Sequence, residues 1–137
     1  MKLFVDIPGY QSTAELFSNN QRPDLVLTIG NKTFIIELTI CFETNLLKSN
    51  EYKKNRYKFL KESICNKETT VELIFVELSS LGFYTDEIDR FNRLTKELHL
   101  NTKHVLEKCS ETSIRCSYYI YNRRLKDWTV PELLLFG

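Results

Sequence analysis

The stretch that most constrains the fold is RPDLVLTIGNKTFIIELTI, residues 22–40. Leu25–Ile29 and Thr33–Ile40 are rich in β-branched and aliphatic residues, and Gly30-Asn31 stands between them. That pattern predicts two strands joined by a two-residue turn, with Gly30 at the first central position of a type II′ hairpin. The loop length sets the register. Ile29 faces Lys32, and Asp24 comes to lie opposite Glu37. Side chains alternate faces with period two. One face then carries Leu25, Leu27, Ile29, Phe34, Ile36, Leu38 and Ile40. The other carries Asp24, Val26, Thr28, Thr33, Ile35, Glu37 and Thr39.

Two acids opposed across a ladder repel each other. Full solvation, a shared proton or a cation relieves the repulsion. Mg²⁺ takes one or two carboxylates together with waters and phosphate oxygens. The next segment bears on the choice. Glu43–Ile64 lacks Pro and Gly and reads as one long helix. Its stripe is Leu46, Asn50, Lys53, Tyr57, Leu60 and Ile64, which places Lys53 where a core residue is expected. A buried lysine needs a partner, and the two hairpin acids are suitable. The alternative is that Lys53 snorkels past the apolar stripe into water.

At these residues the chain resembles the PD-(D/E)XK, or restriction-endonuclease-like, nucleases. Arg22-Pro23-Asp24 and Glu37-Leu38-Thr39 carry the likeness. It is closest to the endonuclease domains of site-specific non-LTR retrotransposons and their detached relatives. In that subgroup the lysine of the acidic motif is replaced, often by Thr, and a lysine on the following helix takes over. Thr39 stands at the replaced position. Phe42-Glu43-Thr44-Asn45 and Lys53 through Arg56-Tyr57 look like that helix's motif. Asp6–Tyr10 and Ser117–Tyr121, followed by Arg124, resemble flanking segments. The resemblance spans residues 4–125 and is strongest over 22–60.

The resemblance implies a single α/β domain over residues 1–137 with a restriction-endonuclease-like core. That core is a small mixed sheet, a hairpin plus a parallel strand, flanked by helices, with a helical C-terminal half. It implies a Mg²⁺- or Mn²⁺-dependent DNA endonuclease. Asp24 and Glu37 would bind metal with the Leu38 carbonyl, and Lys53 would be catalytic. Arg22, Asn50, Arg56 and Tyr57 would contact DNA or support the site. The implied partners are DNA, a reverse transcriptase or larger polyprotein, and a second copy of the chain. Such domains usually end a reverse-transcriptase polyprotein, which these residues do not contain. An excised domain and a stand-alone relative both fit. A catalytically inactive DNA-binding or protein-interaction module on the same fold is the alternative function. A non-nuclease α/β domain with solvated acids is a third.

Composition agrees with one globular domain: 137 residues, 42% hydrophobic and 12% aromatic. The net charge of +1 carries no nucleic-acid signal, but its distribution does. Residues 45–67 hold seven Lys and Arg against Glu51 and Glu62, and residues 115–126 hold Arg115, Arg123, Arg124 and Lys126 with no acid. An ordinary solvated helix face explains Lys54, Lys58 and Lys61 equally well. No apolar run approaches the roughly 20 residues of a membrane span, and no signal peptide is evident. Cys41, Cys65, Cys109 and Cys116 form no CxxC pair and read as reduced thiols of an intracellular protein, and the resemblance implies a nuclear one. The spacing of His99, His104, Cys109 and Cys116 does not stack zinc ligands on one helical face.

Elsewhere, Leu3–Tyr10 reads as a short extended segment broken by Pro8-Gly9. Ser12–Glu15 reads as a capping box opening a short helix to about Phe17, and the resemblance offers Glu15 as a further metal ligand. Asn66–Thr70 is a loop, and Val71–Leu78 a strand apolar on both faces, parallel to its neighbour. Thr85 or Asp86 caps a helix bearing Ile88, Phe91, Leu94 and Leu98. Asn101 or Thr102 starts another short helix with Val105, Leu106 and Cys109. Residues 112–126 fit strand or helix periodicity, and the helix is expected. Trp128–Gly137 is expected to dock on the core.

Overall fold

The computed structural model describes residues 1–17, 21–64, 69–84 and 89–124, without the side chains of Glu15, Glu43, Ser63 and Ile64. The expectations for the Glu15 carboxylate, for residues 66–68, for the Thr85 or Asp86 cap and for Trp128–Gly137 fall outside these residues.

Among the described residues, four strands, β1 (Lys2–Val5), β2 (Leu25–Ile29), β3 (Lys32–Cys41) and β4 (Thr70–Ser79), form one sheet in that order. The same residues hold three α-helices, α1 (Leu46–Ile64), α2 (Asp89–Glu97) and α3 (Thr102–Arg123). The architecture is a mixed α/β fold with a helical C-terminal half.

The β2–β3 hairpin has the register expected from its turn, from Ile29 opposite Lys32 to Leu25 opposite Ile36. Gly30 has φ 57°, and Asn31 does not adopt a positive φ, as a type II′ turn requires. β4 runs parallel to β3 and pairs along all ten of its residues. The sheet has one strand more than expected. Residues 2–5 do not merely extend; they pair antiparallel with β2, Lys2 opposite Thr28 and Val5 opposite Leu25.

Alternation divides the sheet between two cores. On one face Phe4, Val26, Ile35, Val71 and Leu73 pack with Tyr57 and Leu60 of α1. On the other, Leu27, Phe34, Ile36, Ile74, Val76 and Leu78 pack with Leu94 of α2, and Cys109 of α3 joins them. The apolar face of the hairpin is covered only as far as Ile36, because Leu38 and Ile40 are exposed.

Three helical expectations are corrected. The short helix at Ser12 is a single 3-10 turn, Thr13–Glu15, with the Ser12 hydroxyl accepting from the Ala14 N–H. α1 begins at Leu46, after a separate 3-10 turn at Glu43–Asn45. The two helices expected after Asn101 are one, capped by Asn101, whose side chain accepts from the His104 N–H. Ser113, wholly buried in its middle, donates to the Ser79 carbonyl at 2.7 Å and ties α3 to the end of β4. Gly82, at φ 85°, turns the chain out of β4. A Cβ there would stand 2.8 Å from Ile114 Cδ1, so glycine permits the close approach of α3. α2 ends with His99 at φ 55°. The His99 N–H bonds to the Lys96 carbonyl and the Leu100 N–H to that of Thr95, a Schellman closure made without glycine.

Candidate active site

The site is built where β2 begins, where β3 passes Glu37 and Leu38, and where α1 crosses above them. Glu37 faces α1 because it is an even number of residues from Ile35. It is buried, 4% exposed. Asp24 precedes the first paired residue of β2 and is half-buried. The two acids do not confront each other unrelieved. The Asp24 N–H donates to Glu37 Oε1 at 3.1 Å, and the Leu38 N–H donates to Asp24 Oδ2 at 2.8 Å. Each carboxylate thus accepts from the main chain beside the other. Bonds of this kind to charged acceptors are the stronger class.

The cation comes from α1. Lys53 Nζ donates to Glu37 Oε2 at 2.7 Å and to the Leu38 carbonyl at 2.9 Å. The lysine therefore turns inward, as its place on the stripe predicts, and does not snorkel away. One turn on, Tyr57 is 1% exposed and its hydroxyl is hydrogen-bonded to the Glu37 carboxylate. Burial, and then the negative charge of Glu37, raise the Tyr57 phenol well above the ordinary tyrosine range, while the Arg56 guanidinium opposes them. Tyr57 thus orients Glu37 from inside the protein. It does not reach solvent.

The remaining expected residues lie around this cluster. Arg22 is exposed on the approach to β2. Arg56 is exposed, with its guanidinium 5.4 Å from the centre of the Tyr57 ring and its carbonyl accepting from Gln21 Nε2 at 2.9 Å. Asn50 is buried, one turn before Lys53, and lines a hollow of about 310 Å³ beside the site. Glu77 is 2% exposed and stands opposite Thr39 in the ladder, on the same face as Glu37.

The oxygens are of the kind that hold a hard cation. Glu37 Oε2 and the Leu38 carbonyl already converge on one positive charge, the Lys53 ammonium, with Asp24 alongside. Among the described residues, no three His, Cys, Asp or Glu side chains gather to form a metal cage. Two carboxylates, a carbonyl and solvent or phosphate oxygens are the donor set Mg²⁺ uses, so these residues fit that ion.

No protein-family model matches the chain, and no curated protein is significantly similar to it. No helix among the described residues is long and apolar enough to cross a membrane.

Proposed function

We propose that the sheet and α1 form a restriction-endonuclease-like core and that the protein is a metal-dependent DNA endonuclease that hydrolyses phosphodiester bonds. One observation carries the reading. Asp24 and Glu37 from a hairpin and Lys53 from the next helix meet at a partly open point, linked by hydrogen bonds of 2.7–3.1 Å. A solvated pair of acids has no need of a lysine drawn in from a helix stripe.

Asp24, Glu37 and the Leu38 carbonyl would hold Mg²⁺ or Mn²⁺. When bound, the ion lowers the pKa of a coordinated water and neutralises phosphate charge. The protein's own groups do the rest. An ammonium has three N–H donors, and Lys53 uses two, on Glu37 and Leu38. The third is left for a phosphate oxygen or the attacking water, where a fixed positive charge stabilises the developing negative charge. Tyr57 holds Glu37 in place, and the main-chain N–H of Leu38 holds Asp24. Exposed Arg22 and Arg56 flank the opening and suit a phosphate backbone.

The test is plasmid nicking in Mg²⁺ or Mn²⁺ by the wild type, Asp24→Ala and Lys53→Ala. Metal-dependent nicking lost in both variants supports the nuclease. Undiminished nicking in both refutes this site. DNA binding without any cleavage transfers the reading to a binding module.

A further inference from the structure

The structure holds a second charged feature, on the side of α1 away from Arg56. Between α1, β4 and the start of α2 run two adjoining hollows, of about 310 and 560 Å³. Leu73 and Phe75 of β4 form the floor shared by both. Lys54, Lys58 and Lys61 of α1 form one wall, and Arg90 of α2 the other. Asp89 and Glu62 are the acids that line them. Steps of four and three residues place the three lysines along one side of α1.

The groove leads to the candidate active site. Phe75 is the direct ladder partner of Glu37, so the floor lies one strand spacing, about 4.8 Å, from the acid. Asn50, one turn before Lys53, lines the near end.

Among the described residues, Lys58 and Lys61 differ from the ion-paired cations of α3 and share their unpaired state with exposed Lys48 and Lys96; what sets them apart is that they line one groove with Lys54 and Arg90. On α3 the exposed cations are neutralised within the helix: Lys103 by Glu107, and Lys108 and Arg115 by Glu111. On α2, Arg93 lies 3.7 Å from Glu72. Lys58 and Lys61 are exposed, and no carboxylate among the described residues lies within ion-pair distance of either. A peptide strand added to the β4 edge is a poorer occupant. Arg90 Nη1 already donates to the Leu73 carbonyl at 3.1 Å, and Tyr84 bridges Leu78 farther along. A guanidinium has five N–H donors, so Arg90 keeps others for an anion.

We infer that this groove is a phosphate-backbone track that carries the DNA strand on one side of the scissile bond. This rests on the nuclease reading for its direction and on the groove's charge for its occupant. From Lys54 to Lys61 α1 rises about 10 Å, a reach that takes in more than one phosphate of a strand. The contacts are to backbone and carry no sequence preference.

The test is fluorescence anisotropy of a short fluorescein-labelled DNA duplex with the full chain, in EDTA, across a salt series. The variants are Lys58→Ala/Lys61→Ala and Lys58→Arg/Lys61→Arg. Both positions are exposed helix sites where alanine favours the helix, and unchanged thermal melting confirms folding. Each lost phosphate contact lowers the slope of log K against log salt by about 0.9, so the alanine pair lowers it by about 1.8 and the arginine pair preserves it. An unchanged slope in the alanine pair, or a wild type that does not bind the duplex, overturns the track. The two readings fail separately. A plasmid nicked by the wild type, with a slope indifferent to Lys58 and Lys61, keeps the nuclease and removes the track. A plasmid never nicked, with a slope that falls as stated, keeps the track and removes the nuclease.

Discussion

Tyr57→Phe isolates one hydrogen bond at the centre of the site. The ring is 1% exposed and packs with Val26, Ile35 and Leu60, so phenylalanine fills the same space. What is lost is the hydroxyl bonded to the Glu37 carboxylate. A hydrogen bond to a charged group contributes about 1.5–3 kcal/mol. Glu37 keeps the Lys53 ammonium and the Asp24 N–H, which places the loss at the low end, about 1.5 kcal/mol at pH about 8.

The pH dependence makes the test specific. Tyr57 holds its proton in the folded state to well above the pKa of about 10 that tyrosine has when unfolded. Its contribution is therefore fully present below pH about 10. Above that, the unfolded chain binds fewer protons than the folded one, and stability falls by up to about 1.4 kcal/mol per pH unit. The phenylalanine variant lacks this loss, and the other tyrosines are common to both proteins. In urea melts, the wild-type advantage of about 1.5 kcal/mol at pH about 8 shrinks to near zero at pH about 11. An advantage that is the same at both pH values, or that grows with pH, refutes the burial of the Tyr57 phenol beside Glu37.

Two further outcomes are expected. Mg²⁺ or Mn²⁺ at about a hundredfold excess over Kd stabilises the wild type by about 2.7 kcal/mol; calorimetry will show the rise in Tm, and its persistence in Asp24→Asn/Glu37→Gln would place the metal elsewhere. His99→Gly relieves the left-handed residue that closes α2 and raises stability by about 1 kcal/mol, read from the urea midpoint.

How much could be read in advance depended on how local the determining forces are. A two-residue turn and a period of two fix the β2–β3 register without reference to the rest of the chain. The stripe on α1 and the double-sided apolar run of β4 are similarly self-contained. The β1 pairing was not legible, because four residues beginning at Lys2 pair with Leu25–Thr28 across an intervening sequence that carries no pairing signal. α3 was divided in two because Thr112 and Ser113 are indifferent helix formers. Its continuity is supported by tertiary contact, the Ser113 bond to Ser79 and the approach allowed by Gly82. Within the site, the types and spacing of Asp24, Glu37 and Lys53 were visible. The main-chain donors that reconcile the acids were not, since every residue but proline offers an N–H. The lysines of the groove were visible as a basic helix face that ordinary solvation explained equally well. Their distinction from the paired lysines of α3 is one of neighbours in space.

The chemistry of this site depends on the turn at Gly30-Asn31 as much as on the acids themselves. Asp24 and Glu37 are thirteen residues apart, and the hairpin alone brings them together. A slip of one residue in register would move Glu37 to the α2 side of the sheet and leave Lys53 facing Ile36 or Leu38. Lys53 would then be a lysine turned toward the sheet without a charge partner, a costly state. The ion pair at 2.7 Å therefore works against the slipped register, and the register in turn creates the ion pair. A buried charge pair adds little net stability against an apolar replacement, yet it penalises arrangements that separate its members. On this argument Lys53 has a structural use as well as the proposed catalytic one: it makes the hairpin register that forms the site the one in which α1 can dock.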